Sequence, residues 1–106
     1  MDHVLDRLYA LIAARKGADP EASYTAKLLG QGVERCAKKF GEEAVETALA
    51  AVGGDKKAVV SESADVLYHL LVLWAACGIT PQEVAAALEA RQGRSGLAEK
   101  AARRTE

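Results

Sequence analysis

The chain has 106 residues, 50% of them apolar and 27% charged, with a formal net charge of −1 at pH 7. That is enough for one domain, spanning residues 1–106, and too little for two. Near-neutrality excludes the global attraction that nucleic acid or an anionic membrane surface would exert, so neither is an expected partner.

The opening "MDHVLDRLYALIAARKG" lacks a basic stretch, an apolar block and a small-residue cleavage site, so no signal peptide is read and a cytoplasmic location is expected. The longest apolar run, "LLVLWAAC" at 70–77, falls far below the roughly 18–20 residues that cross a bilayer. Alternating Val/Ile/Thr runs are absent, while Ala, Leu, Glu and Lys dominate. The fold class is therefore all-α, with four to five helices.

A first helix is expected from Asp2 to Lys16, with Val4, Leu5, Leu8, Leu11 and Ile12 at helical spacing. Gly17 and Pro20 break it into a loop. "SYTAKLLGQG" reads as one or two helical turns with Ser23 as N-cap. The next helix covers Val33–Val52, its apolar stripe running through Val33, Ala37, Phe40, Ala44, Ala48 and Val52. Gly53 and Gly54 close that helix, and Asp55 caps one that runs to Cys77 and stops at Gly78. In "TPQE", Thr80 is an N-cap, Pro81 the first helical residue and Glu83 the third, opening a helix to Arg91. A basic tail follows, where Ser95 can cap one more helix. Cys36 and Cys77 sit in helical patterns without metal-ligand spacing and read as buried free thiols.

The second half of the 55–77 helix, with Val66, Leu67, Leu70, Leu71, Val72, Leu73 and Trp74, is apolar almost all round. Such a helix needs neighbours on every side, more than 106 residues supply. A homodimer is the expected partner state. Tyr68 and Trp74 are taken as core, and His69 as an interface histidine.

Two acidic pairs carry the chemistry. Glu43 and Glu46 are three apart, as are Glu62 and Asp65, so each pair shares one helix face. Their helices are joined by a short turn, which lets the pairs confront each other. Two carboxylates about 4 Å apart repel by about 4 kcal/mol at an effective dielectric near 20. A hard divalent cation, Mg²⁺ or Mn²⁺, removes that conflict. Solvated faces with no mutual contact are the alternative. Gly41, inside the first acidic helix, costs about 1 kcal/mol relative to alanine; close approach of a ligand or backbone would account for it, and so would an accident that the helix tolerates.

"EEAVE" followed by "ESAD" resembles the all-α nucleoside triphosphate pyrophosphohydrolases, the MazG-like superfamily. Together "SYTAKLL", "KKFGEEAVE", "ESADVLYHLLVLW" and "RSGLAEKAARR" are similar to a narrower family, the phosphoribosyl-ATP pyrophosphatases of histidine biosynthesis, over about residues 4–104. The resemblance implies a helical bundle completed by homodimerisation, free of the cyclohydrolase domain sometimes fused to it. It implies hydrolysis of the α–β phosphoanhydride of a small-molecule nucleotide, with Glu43, Glu46, Glu62 and Asp65 holding Mg²⁺ and Glu42 beside them. Cys36 departs from that pattern, standing where an aliphatic residue is expected.

Phosphoryl transfer asks mainly for positioning and charge neutralisation. Glu42 or Glu46 is the candidate acceptor of the proton from attacking water. Lys38 and Lys39, one turn before the glutamates, either meet phosphate or pair with Glu42 and Glu43. From Arg91 onward, Arg91, Arg94, Lys100, Arg103 and Arg104 outnumber Glu99 and Glu106 by +3. Thr25, Lys27, Arg91, Ser95, Lys100 and Arg103 complete the candidate substrate contacts, with the Ser95–Gly96 amides available to a phosphate. Two rival readings are a house-cleaning nucleotide pyrophosphohydrolase and a non-catalytic helical dimerisation module.

Overall fold

A computed structural model describes residues 2–92. The expected tail helix and the candidate residues Ser95, Lys100 and Arg103 lie outside them. The described residues form α1 (Asp2–Ala14), α2 (Tyr24–Gln31), α3 (Val33–Val52), α4 (Lys56–Cys77) and α5 (Pro81–Arg91), with no strand among them. The chain is all-α.

Local chemistry accounts for the boundaries. The first helix ends at Ala14, two residues before the expected Lys16, because its last amides tighten into turns: Arg15 N–H meets Ile12 O at 3.0 Å and Lys16 N–H meets Ala13 O at 3.2 Å. Ser23 Oγ accepts from Ala26 N–H at 3.1 Å and starts α2. Gly32, at φ +91°, serves as both the end of α2 and the cap of α3. Only glycine makes that reversal without strain, so the two helices follow with no loop between them. Asp55 Oδ1 accepts from Ala58 N–H at 3.1 Å to open α4, and Gly78, left-handed at φ +73°, closes it. Thr80 and Glu83 complete a reciprocal capping box with Pro81 behind it.

The helices α3 and α4 form an antiparallel hairpin and share the most extensive contact in the fold. The apolar core sits at its open end. Ile12 of α1, Leu28 of α2, Cys36 of α3 and Leu71, Val72 and Ala75 of α4 are buried together, with Leu5, Leu8, Tyr9, Tyr68 and Trp74 packed around them. Each large side chain buried there contributes about 1.5–3 kcal/mol. Tyr9 donates its hydroxyl to Ile79 O at 2.8 Å and ties α1 to the α4–α5 turn. Cys36 fills its place as a small hydrophobe, with Sγ–H directed at Leu28 O (3.3 Å) and burial pushing its thiol pKa up. Cys77, expected to be buried, is exposed.

The stripe expected on α3 is displaced. Val33, Ala37, Ala48 and Val52 face solvent, Val52 at 87% exposure, and only Phe40 and Ala44 are half-buried. The inward face runs instead through Cys36, Phe40, Glu43, Thr47 and Ala50. Leu67 likewise turns outward, at 36% exposure, and is no part of the core. By length and hydropathy α4 passes for a membrane span. Its inward side, however, carries Glu62 and His69 and packs against α1, α2 and α3.

Candidate metal centre

Because Glu43 lies on the inward face of α3, the hairpin brings it to Glu62 and Asp65 of α4. One carboxylate oxygen from each of the three falls within 4.8 Å of the others. Glu43 and Glu62 are half-buried and Asp65 is exposed. Glu46, one turn along α3, is exposed and outside that trio but close enough to act on it. The Glu43 carboxyl is held above the usual carboxylate range, first by a hydrogen bond with Glu46, then by burial, then by the charges of Glu46, Asp65 and Glu62. Glu62 is raised as well, first by burial, then by the charges of Glu46 and Asp65 and a hydrogen bond with Glu46.

Crowding of this kind without a counter-charge is unfavourable, and one atom registers it directly. Glu62 Oε2 is buried with no hydrogen-bond partner. A buried carboxylate oxygen left unpaired among like charges fits a hard divalent cation, for which several carboxylate oxygens are the natural donors. The donor set suits Mg²⁺ or Mn²⁺ in chemistry.

The surroundings are built from α2 and α4. His69, 6% exposed, directs Nε2 at Glu43 Oε1 across 3.9 Å, while its Nδ1 is buried without a partner. The rings of Tyr68 and Tyr24 meet the imidazole edge-on, at centroid distances of 5.0 and 6.3 Å. Burial pushes the His69 pKa down, and the Lys39 charge pushes the same way, against Asp65 and Glu42. Thr25 and Tyr68 share a hydrogen bond through their hydroxyls, so the candidate Thr25 is already engaged. Lys39 pairs with Glu42 at 3.4 Å, three residues on and not four, and Glu42, a step around the helix from Glu43, is not part of the carboxylate trio. Lys27 and Lys38 are exposed, and Arg91 is half-buried at the end of α5. A groove of about 320 Å³ between α1 and α5, lined by Leu5, Asp6, Trp74, Leu88 and Glu89 among others, contains none of Glu43, Glu46, Glu62 and Asp65.

Gly41 is in open space: a Cβ there would meet no atom of the chain within 4 Å. Close approach of this chain's own backbone therefore does not account for it. Sequence reasoning missed Thr47, whose hydroxyl donates toward Glu43 O (2.8 Å) and also toward Glu62 O on α4 (3.1 Å). The available signal was its position, four residues after Glu43 and on the same face.

An all-α hairpin with carboxylates from both arms gathered at its centre is the architecture that the acidic pairs resemble. Residues 5–92 match the family model described as phosphoribosyl-ATP pyrophosphohydrolase, and the chain belongs to that family. Proteins named phosphoribosyl-ATP pyrophosphatase are similar along nearly their whole length. The one from Parvibaculum lavamentivorans is 68% identical over 93% of this chain and 91% of its own. Those from Azospirillum brasilense (62% identical, 96% and 92% covered) and Cereibacter sphaeroides (63%, 94% and 97%) stand close by.

Proposed function

We propose that the chain hydrolyses the α–β phosphoanhydride of phosphoribosyl-ATP, giving phosphoribosyl-AMP and pyrophosphate, an early step of histidine biosynthesis. One observation carries this reading: three carboxylates converge within 4.8 Å in a member of the family. Glu43, Glu46, Glu62 and Asp65 hold Mg²⁺, with Mn²⁺ a chemical equivalent. The bound ion supplies charge neutralisation to the polyphosphate and to the leaving pyrophosphate.

The chain's own groups do the rest. Glu46 is the better placed of the two candidate bases, because it borders Glu43 and Glu62 yet stays exposed, whereas Glu42 is not among the groups acting on either. A water held by Glu46 gives its proton to that carboxylate as its oxygen attacks phosphorus and the anhydride P–O bond breaks, releasing pyrophosphate. Lys38 and Lys39, with Lys27 of α2 and Arg91, Ser95, Lys100 and Arg103 toward the C-terminus, meet the substrate's phosphates. Thr25 contributes through Tyr68, holding α2 against the His69 wall of the site.

The working form is a cytoplasmic homodimer. Val45, Leu49 and Val52 form an exposed stripe on α3, and Val60 and Leu67 another on α4. Exposed apolar stripes of this kind are what a second subunit covers.

Turnover of phosphoribosyl-ATP against a panel of nucleoside triphosphates, with Mg²⁺ and with EDTA, tests the proposal. Pyrophosphate should appear from phosphoribosyl-ATP alone and only with metal. Activity spread over ordinary nucleotides would support a house-cleaning role instead, and no metal-dependent turnover would return the acids to a solvated face.

A further inference from the structure

The two arms of the acidic hairpin must hold a fixed distance while their carboxylates are ionised and repelling. A link independent of charge is needed, and Thr47 supplies one.

Threonine in mid-helix is mildly unfavourable, and its hydroxyl commonly bonds back to the carbonyl four residues earlier. Here that carbonyl belongs to Glu43, at 2.8 Å. The same oxygen also lies 3.1 Å from the carbonyl of Glu62 on the opposite arm. The single hydroxyl proton is shared between two acceptors, one on each arm, and both acceptors are residues of the carboxylate trio. Both carbonyls also lie inside helices, where the backbone ladder already supplies a donor. Removing the hydroxyl therefore strands no buried polar group, and the fold does not depend on it.

We propose that Thr47 is a positioning residue for the metal site, fixing the backbone of Glu43 against that of Glu62. This rests on the reading of the trio as a cation site. Ligand sets must be held to within about 0.5 Å of their productive geometry, and a joint through one atom between two ligand backbones meets that demand.

The test is Mn²⁺ binding to the full chain, followed by the paramagnetic resonance signal of the free ion, for wild type, Thr47→Val and Thr47→Ser. Melting in EDTA is recorded beside it. Thr47→Val keeps the shape and loses the hydroxyl; it should bind Mn²⁺ about 10- to 100-fold more weakly, the usual loss for groups that orient ligands. Its EDTA melting should match wild type. Thr47→Ser keeps the hydroxyl and should bind as wild type does. In turnover, the Mg²⁺ concentration for half-activity should rise while kcat at saturating Mg²⁺ holds. Unchanged Mn²⁺ affinity in Thr47→Val overturns the proposal, as does a loss in Thr47→Ser equal to that in Thr47→Val, which would implicate the methyl group. If Thr47→Val does not fold, Thr47→Ala is read in its place, and failure of both to fold overturns it too. If wild type itself binds no Mn²⁺, the cation-site reading fails first, and that result is distinct from all the others.

Discussion

The imidazole Nε2 of His69 stands 3.9 Å from Glu43 Oε1, in a pocket closed by the rings of Tyr24 and Tyr68. A buried histidine beside a carboxylate suggests an ion pair, yet burial and the Lys39 charge hold the His69 pKa below its ordinary value. The neutral imidazole is the resident form near neutral pH. The approach is then one of packing and dipole, and the imidazole supplies Glu43 with no counter-charge.

A pH dependence follows from that sign. Folding lowers the His69 pKa, so its contribution to stability is present above the unfolded value, about 6.5, and is lost as pH falls through the folded value. In EDTA, the melting temperature should decline as pH drops below about 6.5. His69→Gln, which has no proton to gain, should flatten that limb. An unchanged limb in His69→Gln would assign the decline to other groups.

Glu43 and Glu62 behave in the opposite sense. Their pKa values are raised by folding, so the metal-free protein holds their contribution below about pH 4.3 and loses it as pH rises through the folded values. At neutral pH the cluster is therefore a liability without metal. Glu62→Gln removes one of the repelling charges and should melt in EDTA at or above the wild-type temperature. Wild type should gain about 2.7 kcal/mol when Mg²⁺ reaches 100 times its dissociation constant. Glu62→Gln should lose most of that gain, and its turnover should fall by about 100-fold or more, the scale of several kcal/mol of transition-state stabilisation. Lower stability of Glu62→Gln in EDTA would mean that the carboxylates do not repel as described.

Two core and backbone substitutions separate packing from propensity. Leu71, 1% exposed at the centre of the core, should cost about 2–5 kcal/mol when cut to alanine. Gly41→Ala should do the reverse. The position is helical, with nothing within 4 Å of a new Cβ, so the metal-free chain should gain about 1 kcal/mol. Thermal unfolding in EDTA checks both. Destabilisation by Gly41→Ala would reveal a neighbour that the single chain does not contain.

The helix ends were legible in the sequence because caps are local: Ser23, Asp55, Gly78 and Thr80 each act within a turn of their own position. The acidic spacing was legible for the same reason. The interior face of α3 was not. Apolar periodicity pointed to Val33, Ala48 and Val52, while the hairpin turns Glu43 and Thr47 inward beside Cys36 and Phe40. A polar inner face looks like a surface face to any reading based on hydrophobicity, because the cost of burying it is offset only by partners that sequence does not display. Thr47 and Glu62 are fifteen residues apart, and their contact depends on how two helices meet. The outward turn of Leu67 and the exposure of Cys77 have the same origin.

Those displaced apolar residues lead to the last prediction. Val45, Leu49 and Val52 recur at helical spacing along the exposed side of α3, and Leu49 is 65% exposed. Leucine alone on a surface is ordinary, but a stripe of three on one helix, with Val60 and Leu67 also outward on the next, is not. Burying such a face between two copies contributes about 25 cal/mol for each Å² of apolar surface covered. Light scattering on the eluting protein should give twice the 11.2 kDa chain mass. Leu49→Asp places a charge in that face and should shift the mass toward one chain at low micromolar concentration, leaving helix content intact. A wild-type mass of one chain, or a Leu49→Asp dimer as tight as wild type, would mean that the stripe is not the interface.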